Sequence, residues 1–471
     1  MRRTKIIATL GPASYDPAVI DSLIEAGADV LRLNFAHGDP GTHAAVADLV
    51  RDSARRKERV VSILADLPGP KMRTGPVHDG EVRLEIGQTF ELRDHQRPGD
   101  MTGVGTTVDV GDFLAPGDEV FLADGQIVLD VMEVHGETVA TRVLRGGVLR
   151  SGKGLHIPGA ERKLQAFTPG DEAALCQALE IGVDLVGLSF VRSSDDVAQV
   201  KEKVAEASGH PPWVVAKIET RSAVEDIDDI IQVADAVMVA RGDLGIQLPF
   251  REVPALQKDI IAGCNQTGTP VITATQMLES MTHSPLPTRA EVNDGANAVM
   301  DGTDAVMLSE ETAVGDYPVD TVTVMSEIAL EAEARRRVPA VRVTPGWDEP
   351  ISWAIARAAV QASEELEVAV ILCPTRTGAT ARRVAAFRPS MPILAIDHSI
   401  ETLRPLALLW GVVPFQVPYL SPGQLGVGGL KRAVDAARAS GLARSGERAT
   451  LVAGGSLPRA ASTDLVRILT L

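Results

Sequence analysis

The chain has 471 residues, 45% hydrophobic but only 3% aromatic, so its cores must rely on Val, Leu, Ile and Ala, and its length calls for more than one domain. A formal charge of −17 argues against nucleic acid or an anionic membrane as the main partner, so an enzyme acting on anions would have to gather its cations locally. No run is long and apolar enough to span a bilayer, and the N-terminus enters a strand without a signal-peptide core.

Ile6–Leu10 reads as a strand ending at Gly11-Pro12, followed by a helical pattern (Val19, Ile20, Leu23, Ile24) stopped by Gly27. Val30–Phe35 and Val60–Leu67 make the next strands, with a helix between them. From about Thr74 to Gly152 the texture changes to period-two alternation punctuated by Asp79-Gly80, Asp124-Gly125 and Gly146-Gly147. That pattern predicts a small, mostly antiparallel β domain, placed as a lid beside the third strand's end. Apolar strands then resume at Leu185–Phe190, Val214–Ile218, Ala236–Ala240, Val271–Ala274 and Ala305–Leu308. Eight such strands with helices between them predict a (β/α)₈ TIM barrel, whose site lies at the strands' carboxyl ends.

A third pattern begins near Thr344, after the Arg-rich Glu331–Thr344 linker. Helices and strands alternate from Trp353 to Leu469 and predict an open α/β domain. The expected division is barrel at 1–73 and 153–335, inserted small β-barrel lid at 74–152, and C-terminal α/β regulatory domain at 345–471. Cys176, Cys264 and Cys373 fall in apolar patterns and read as buried thiols in a reducing compartment. A soluble, cytoplasmic protein is expected.

The chemistry concentrates between Trp213 and Gly245, a strand–helix–strand unit whose strands end in Lys217 and Glu219 and in Arg241, Gly242 and Asp243. Parallel strands in a right-handed unit open their ends on one face. Two carboxylates with open positions beside them suit a hard divalent cation held partly by substrate oxygens. Gly242 lets backbone approach a ligand closely. Arg32, Lys71, Arg73, Lys153, Lys217 and Arg241 all fall at expected strand ends or domain junctions.

These residues carry a family resemblance. VVAKIE followed by VMVARGDLG resembles the pyruvate kinases, as do TKIIATLGPAS at Thr4–Ser14, RLNFAHG at Arg32–Gly38, ITATQMLESM at Ile272–Met281 and the segment Pro287–Ala313. The resemblance implies phosphoryl transfer from phosphoenolpyruvate to ADP, giving pyruvate and ATP, in a glycolytic homotetramer. It implies Glu219 and Asp243 as ligands of Mg²⁺ (or Mn²⁺), Lys217 and Arg32 at the transferring phosphoryl, and Gly242 at the substrate carboxylate. Thr275 would sit near the carbon that takes a proton, and Asn34, His37, Arg73 and Lys153 would hold the nucleotide. The alternative is a Mg-dependent aldolase or lyase acting on a pyruvate enolate, which would need neither insertion, C-terminal domain nor ADP site.

Two segments bear on regulation and ions. CPTRTGATARR offers Thr375, Thr377, Gly378 and Thr380 at a helix start, similar to the loop where many pyruvate kinases bind a phosphorylated effector; an ordinary Thr-rich turn with an N-cap is the plain alternative. The following GGSLPRAAS departs from the Trp-containing loop associated with sugar-bisphosphate activation, pointing instead to a sugar or nucleotide monophosphate. Most of the family reads R-L-N-F-S-H-G and D-T-K-G-P-E-I-R-T-G and holds K⁺ through the Asn, Ser, Asp and Thr of these motifs. Here Asn34 and Asp66 remain, but Ala36 and Leu67 replace the two hydroxyl residues and Lys71 replaces the acid. The expectation is that the Lys71 ammonium stands in for the cation beside Asp66, and that K⁺ is not required.

Overall fold

A computed structural model describes the chain except residues 95–97, 124, 161–164, 336–342, 344–348, 420–426 and 455–462. Most of the expected linker, Asp124 of one lid turn and nearly all of GGSLPRAAS therefore lie outside the described residues.

Eight parallel strands close a barrel: β1 (Lys5–Leu10), β2 (Val30–Asn34), β3 (Ser62–Asp66), β4 (Leu185–Leu188), β5 (Trp213–Ile218), β6 (Ala236–Ala240), β7 (Val271–Ala274) and β8 (Ala305–Leu308). Each pairs with its sequence neighbours, and β8 returns to β1 through Lys5↔Ala305 and Ile6↔Val306. Alternate residues divide between two cores, as a two-residue period requires. Ile7, Val30, Leu64, Val215, Met238 and Ile272 fill the interior, while Ile6, Leu31, Ile63, Val214 and Val237 pack under the helices. Asp16 and Thr288 cap the helices that follow them, and Gly27 and Gly302 end two helices in the left-handed conformation.

The insertion leaves after β3. Its strands pair as a six-stranded sheet and a two-stranded ribbon, and the segment at Arg73 and Thr74 bridges the two edges of the larger sheet, to Gly154 and to Thr106, which closes the expected small barrel. The long strand Ile127–His135 carries two register irregularities, at Val128/Leu129 and Val131/Glu133, which bend and twist it locally. The two connecting chains are tied where they leave the barrel: Thr74 N donates to Lys153 O at 2.8 Å and Leu155 N to Met72 O at 2.9 Å.

The C-terminal domain is a five-stranded sheet in the order Val412–Gln416, Ile393–Asp397, Val370–Pro374, Arg448–Ala453 and Leu465–Thr470. Only the last pair runs antiparallel. The domain seals the barrel's lower end, since Leu408 joins the interior core. Cys264 and Cys373 are buried, but Cys176 is exposed; its helix Pro169–Ile181 buries Leu175 and Ala178 instead. Among the described residues no helix is long and apolar enough to cross a membrane.

Arg388 locks the two domains together. Its guanidinium bonds Asp304 at 2.9 and 2.7 Å and also Asn265 and the Gly302 carbonyl, with side-chain exposures of 3% and 6% for the ionic partners. Removing one member of a buried pair strands the other. Asp304→Ala should therefore cost roughly 3–5 kcal/mol, measured by urea unfolding, and Asp304→Asn should cost less because it keeps an acceptor.

Candidate active site

The carboxyl ends of β2 to β5 converge on one buried carboxylate. Asp66 Oδ1 lies 3.0 Å from Lys217 Nζ, and its Oδ2 receives Arg32 through Nη2 at 2.6 Å and Nε at 2.8 Å. Lys217 also meets Glu219 Oε1 at 2.9 Å and donates to Ser189 Oγ at 2.7 Å. The second Glu219 oxygen accepts from Phe190 N at 2.7 Å. Against burial, Lys217 and Arg32 hold the Asp66 carboxyl below its ordinary value. Burial alone would lower the Lys217 ammonium, but Asp66 and Glu219 outweigh it and raise it above the usual lysine range. Burial pushes Glu219 up, opposed by Lys217 and reinforced by the Asp243 charge.

Asp243 begins the short helix Arg241–Gln247 after β6. Its Oδ1 is 2.7 Å from Lys71 Nζ. This corrects the expected position of Lys71: its ion pair is with Asp243, and Asp66 is already shared by Lys217 and Arg32. Asp66 already carries two cations, whereas Asp243 is partly exposed and meets no other cation among the described residues.

Thr275 and Gln276 follow β7 with φ of 69° and 53°, a costly conformation for residues with a side chain. Arg241 holds them there, donating to the carbonyls of Ala274, Thr275 and Gln276 and pairing with Asp294 at 2.6 Å. The Arg241 charge is thus spent on scaffolding rather than turned to a ligand. The Gly242 N–H, expected to face a substrate carboxylate, donates instead to Thr275 Oγ1 at 2.9 Å, and that hydroxyl donates to Ala274 O at 2.6 Å.

Asn34 Oδ1 accepts from Ala36 N at 3.2 Å and its carbonyl accepts from His37 N. Burial first, then Arg73, Arg32 and Lys71, lower the His37 pKa, which marks a concentration of positive charge at this corner. Arg73 Nη1 donates to the Gly152 carbonyl at 3.1 Å, and Lys153 is exposed beside it. A cleft between lid and barrel is lined by Lys71, Phe121, His156, Phe190, Asp243 and Gln247. His156, which the expected boundary at 152/153 gave to the barrel but whose short strand Leu155–His156 pairs into the insertion's sheet, meets Gln247 at 3.1 Å across it.

Ser189 was not anticipated from sequence. It lies just past β4, the same carboxyl-end position that singles out Lys217 and Asp243, and orients the lysine while donating to Leu67 O at 2.7 Å. The C-terminal loop lies in the other domain. Thr375 Oγ1 accepts from Gly378 N at 2.9 Å, and Thr380 bonds Thr463 at 2.8 Å. Both threonines are buried, so of the three expected hydroxyls only that of Thr377 is exposed.

Glu219 and Asp243 fit a divalent cation by donor type. The Asp243 charge adds to the cost of ionising Glu219, and a hard cation accepts such oxygens while leaving positions for substrate. Among the described residues no group of three or more His, Cys, Asp or Glu is placed to hold a metal ion.

The family profile described as "Pyruvate kinase, barrel domain" matches residues 1–322, and "Pyruvate kinase, alpha/beta domain" matches residues 353–469. The chain is 43% identical to pyruvate kinase 2 of Synechocystis, covering 99% of this chain and 79% of that one. It is 40% identical to the pyruvate kinase of Geobacillus stearothermophilus, with 99% and 80% covered. It is 44% identical to that of Thermococcus litoralis, with 88% of each covered. A crystal structure of a pyruvate kinase from Cryptosporidium parvum superposes with a TM-score of 0.89 at 32% identity, covering 100% of this chain and 96% of the other.

The shared Asp66 carboxylate generates a stability prediction. Its folded pKa is depressed, so its contribution is complete above the unfolded carboxylate value of about 3.9 and is lost as pH falls through the lower folded value. Asp66→Asn should destabilise the chain by roughly 3–5 kcal/mol near neutral pH. The loss relative to the parent should shrink at acid pH, as read from urea unfolding at several pH values.

Proposed function

The chain belongs to the pyruvate kinase family, and we propose that the constellation around Asp66, Lys217 and Glu219 carries out that family's reaction. The enzyme transfers the phosphoryl group of phosphoenolpyruvate to ADP, giving pyruvate and ATP. The aldolase alternative falls with the family match and with the presence of both additional domains. The observation that carries the assignment of roles is the buried, hydrogen-bonded ammonium of Lys217 flanked by the Arg32 guanidinium.

Phosphoryl transfer depends on positioning and charge placement more than on covalent help. Arg32, fixed by Asp66 and by Thr9 Oγ1 at 3.0 Å, is oriented to receive phosphoryl oxygens with its remaining donors. Lys217 stabilises the transferring group and the enolate oxygen left behind. A unit charge at about 4 Å contributes roughly 4 kcal/mol at an effective dielectric near 20, on the order of 10³ in rate. Glu219 and Asp243 would hold Mg²⁺, which when bound polarises the enolate oxygen and neutralises phosphoryl charge. For that, Asp243 must exchange its Lys71 partner, so Lys71 is released toward the phosphoryl corner as the site fills. Thr275 relays the proton to the enolate carbon, and its hydroxyl must first leave Ala274 O; water supplies the proton because a hydroxyl cannot store one. Asn34, His37, Arg73 and Lys153 hold ADP as the lid closes. A cytoplasmic homotetramer completes this reading.

Lys217→Ala should abolish pyruvate formation in a coupled assay while sparing much of the proton exchange at pyruvate's methyl group, and unchanged turnover would remove its assigned role. Glu219→Ala and Asp243→Ala should shift Mg²⁺ activation to higher concentration, and wild-type saturation in both would place the metal elsewhere.

Independence from K⁺ is supported by Ala36, which lacks the hydroxyl ligand, and by an Asp66 already shared between two cations. Activity should be full in buffer free of K⁺, with Lys71→Glu creating a monovalent-cation requirement. Strong stimulation of the wild type by K⁺ at constant ionic strength would contradict this.

A phosphorylated effector at Thr375, Thr377, Gly378 and Thr380 is supported by the loop's position at the start of the helix Ala379–Ala386. Because two of the hydroxyls are internally bonded, the backbone N–H groups and Thr377 would supply the contacts. Titrating sugar and nucleotide monophosphates should steepen or shift the substrate saturation curve, and Thr377→Ala should weaken that response.

A further inference from the structure

At the barrel's lower end, opposite the catalytic mouth, a polar cleft of about 750 Å³ separates the amino ends of β3 to β5 from the C-terminal domain. Arg51, Arg55, His210 and Arg404 supply its basic groups. Arg51 is a fixed wall: its guanidinium meets Asp184 at 2.8 Å, Gly182 O at 2.8 Å and Val61 O at 3.2 Å. Arg404 comes from the C-terminal domain, directly after the helix Ile400–Leu403, with a side chain 23% exposed. Its nearest carboxylate oxygen, Asp184 Oδ1, is 4.0 Å away, beyond hydrogen-bond reach. Among the described residues no hydrogen bond from this guanidinium is formed, although it carries five donors. Burial, then the charge of Arg51, lower its pKa, and Arg55 adds to the repulsion. Arg55, one helical turn beyond Arg51, is exposed and, among the described residues, paired with Asp52 of its own helix.

Three guanidiniums from two domains thus line one cleft, and the one from the C-terminal domain has a long ion pair to Asp184 and, among the described residues, no hydrogen bond. Four carboxylates line the same cleft: Asp184 and Asp52 are paired with Arg51 and Arg55, whereas Asp48 and Glu401 lie one helical turn from Arg51 and Arg404, and Glu401 accepts from Ser399 Oγ at 2.8 Å. Carboxylates repel a second anion but accept hydroxyl groups. From this arrangement we propose that the cleft binds a hydroxylated phosphate monoester, its phosphate between Arg404 and Arg55 and its hydroxyls toward Asp48 and Glu401. Planar guanidinium forks match phosphate oxygens bidentately, and the cleft is of a size that encloses small metabolites. The ligand would bridge the domains, because Arg404 and Arg55 belong to different ones.

Crystals soaked in glycerol 3-phosphate test the location directly. Phosphate density within hydrogen-bond distance of Arg404 and Arg55 is expected, and it should vanish in Arg404→Gln while any phosphate at the catalytic mouth persists. Density confined to the mouth, or cleft density unchanged in Arg404→Gln, would overturn the proposal. Arg55→Gln changes only an exposed side chain, so folding is not at stake. Equilibrium dialysis should then show a Kd for glycerol 3-phosphate at the cleft raised about tenfold, as loss of a charge-assisted hydrogen bond implies. An unchanged Kd overturns the assignment. Inorganic phosphate should bind more weakly than the monoester; equal affinity would reject the hydroxyl contacts and leave a free-phosphate site.

Discussion

One carboxylate organises the catalytic mouth. Asp66 is almost wholly buried and is shared by Lys217 from β5 and Arg32 from β2. Two like charges brought this close would repel strongly in a medium of low dielectric. The shared anion makes their approach favourable and aims both at the same space. Glu219 and Ser189 complete the lysine's shell, so the ammonium has a single position rather than a cone of them. Its own contacts leave it charged, as a group that must meet a phosphoryl oxygen requires.

The barrel delivers these groups because parallel strands present their carboxyl ends on one face. Residues from four strands meet at Asp66, and none lies close to another in sequence except Lys217 and Glu219. The same geometry explains the strained corner at Thr275 and Gln276. Arg241 collects three successive carbonyls and so compensates for a backbone that neither residue prefers. The loop is set in advance, which spares that cost when a substrate arrives.

The lower end of the barrel also carries charged groups, and they do different work. Arg388 and Asp304 are matched and buried, and Leu408 plugs the interior core; these contacts make barrel and C-terminal domain one packed body. Arg404 lies along the same seam without such a match. Insertion and barrel meet across the cleft through His156 and Gln247.

Much of this was written locally. Strand and helix periodicity identified all eight barrel strands and the open α/β domain, because each strand is buried on both faces and must be apolar throughout. Strand-end position singled out Asn34, Asp66, Lys217, Glu219, Asp243 and Thr275. What periodicity could not supply was partnership. Lys71 pairs with Asp243, not with Asp66, because Asp66 was already neutralised by residues 34 and 151 positions away. Arg241 proved to be scaffold, and Gly242 spends its N–H on Thr275. Cys176 faces outward from a helix whose apolar pattern alone left its side undecided, and the lid's bulges redirected strands that alternate regularly in sequence. Sequence determines which groups reach the mouth, since that follows from short-range pattern and strand direction; which of them bond to one another is decided only by folding, since the competing charges come from distant strands and the closest unneutralised partner wins.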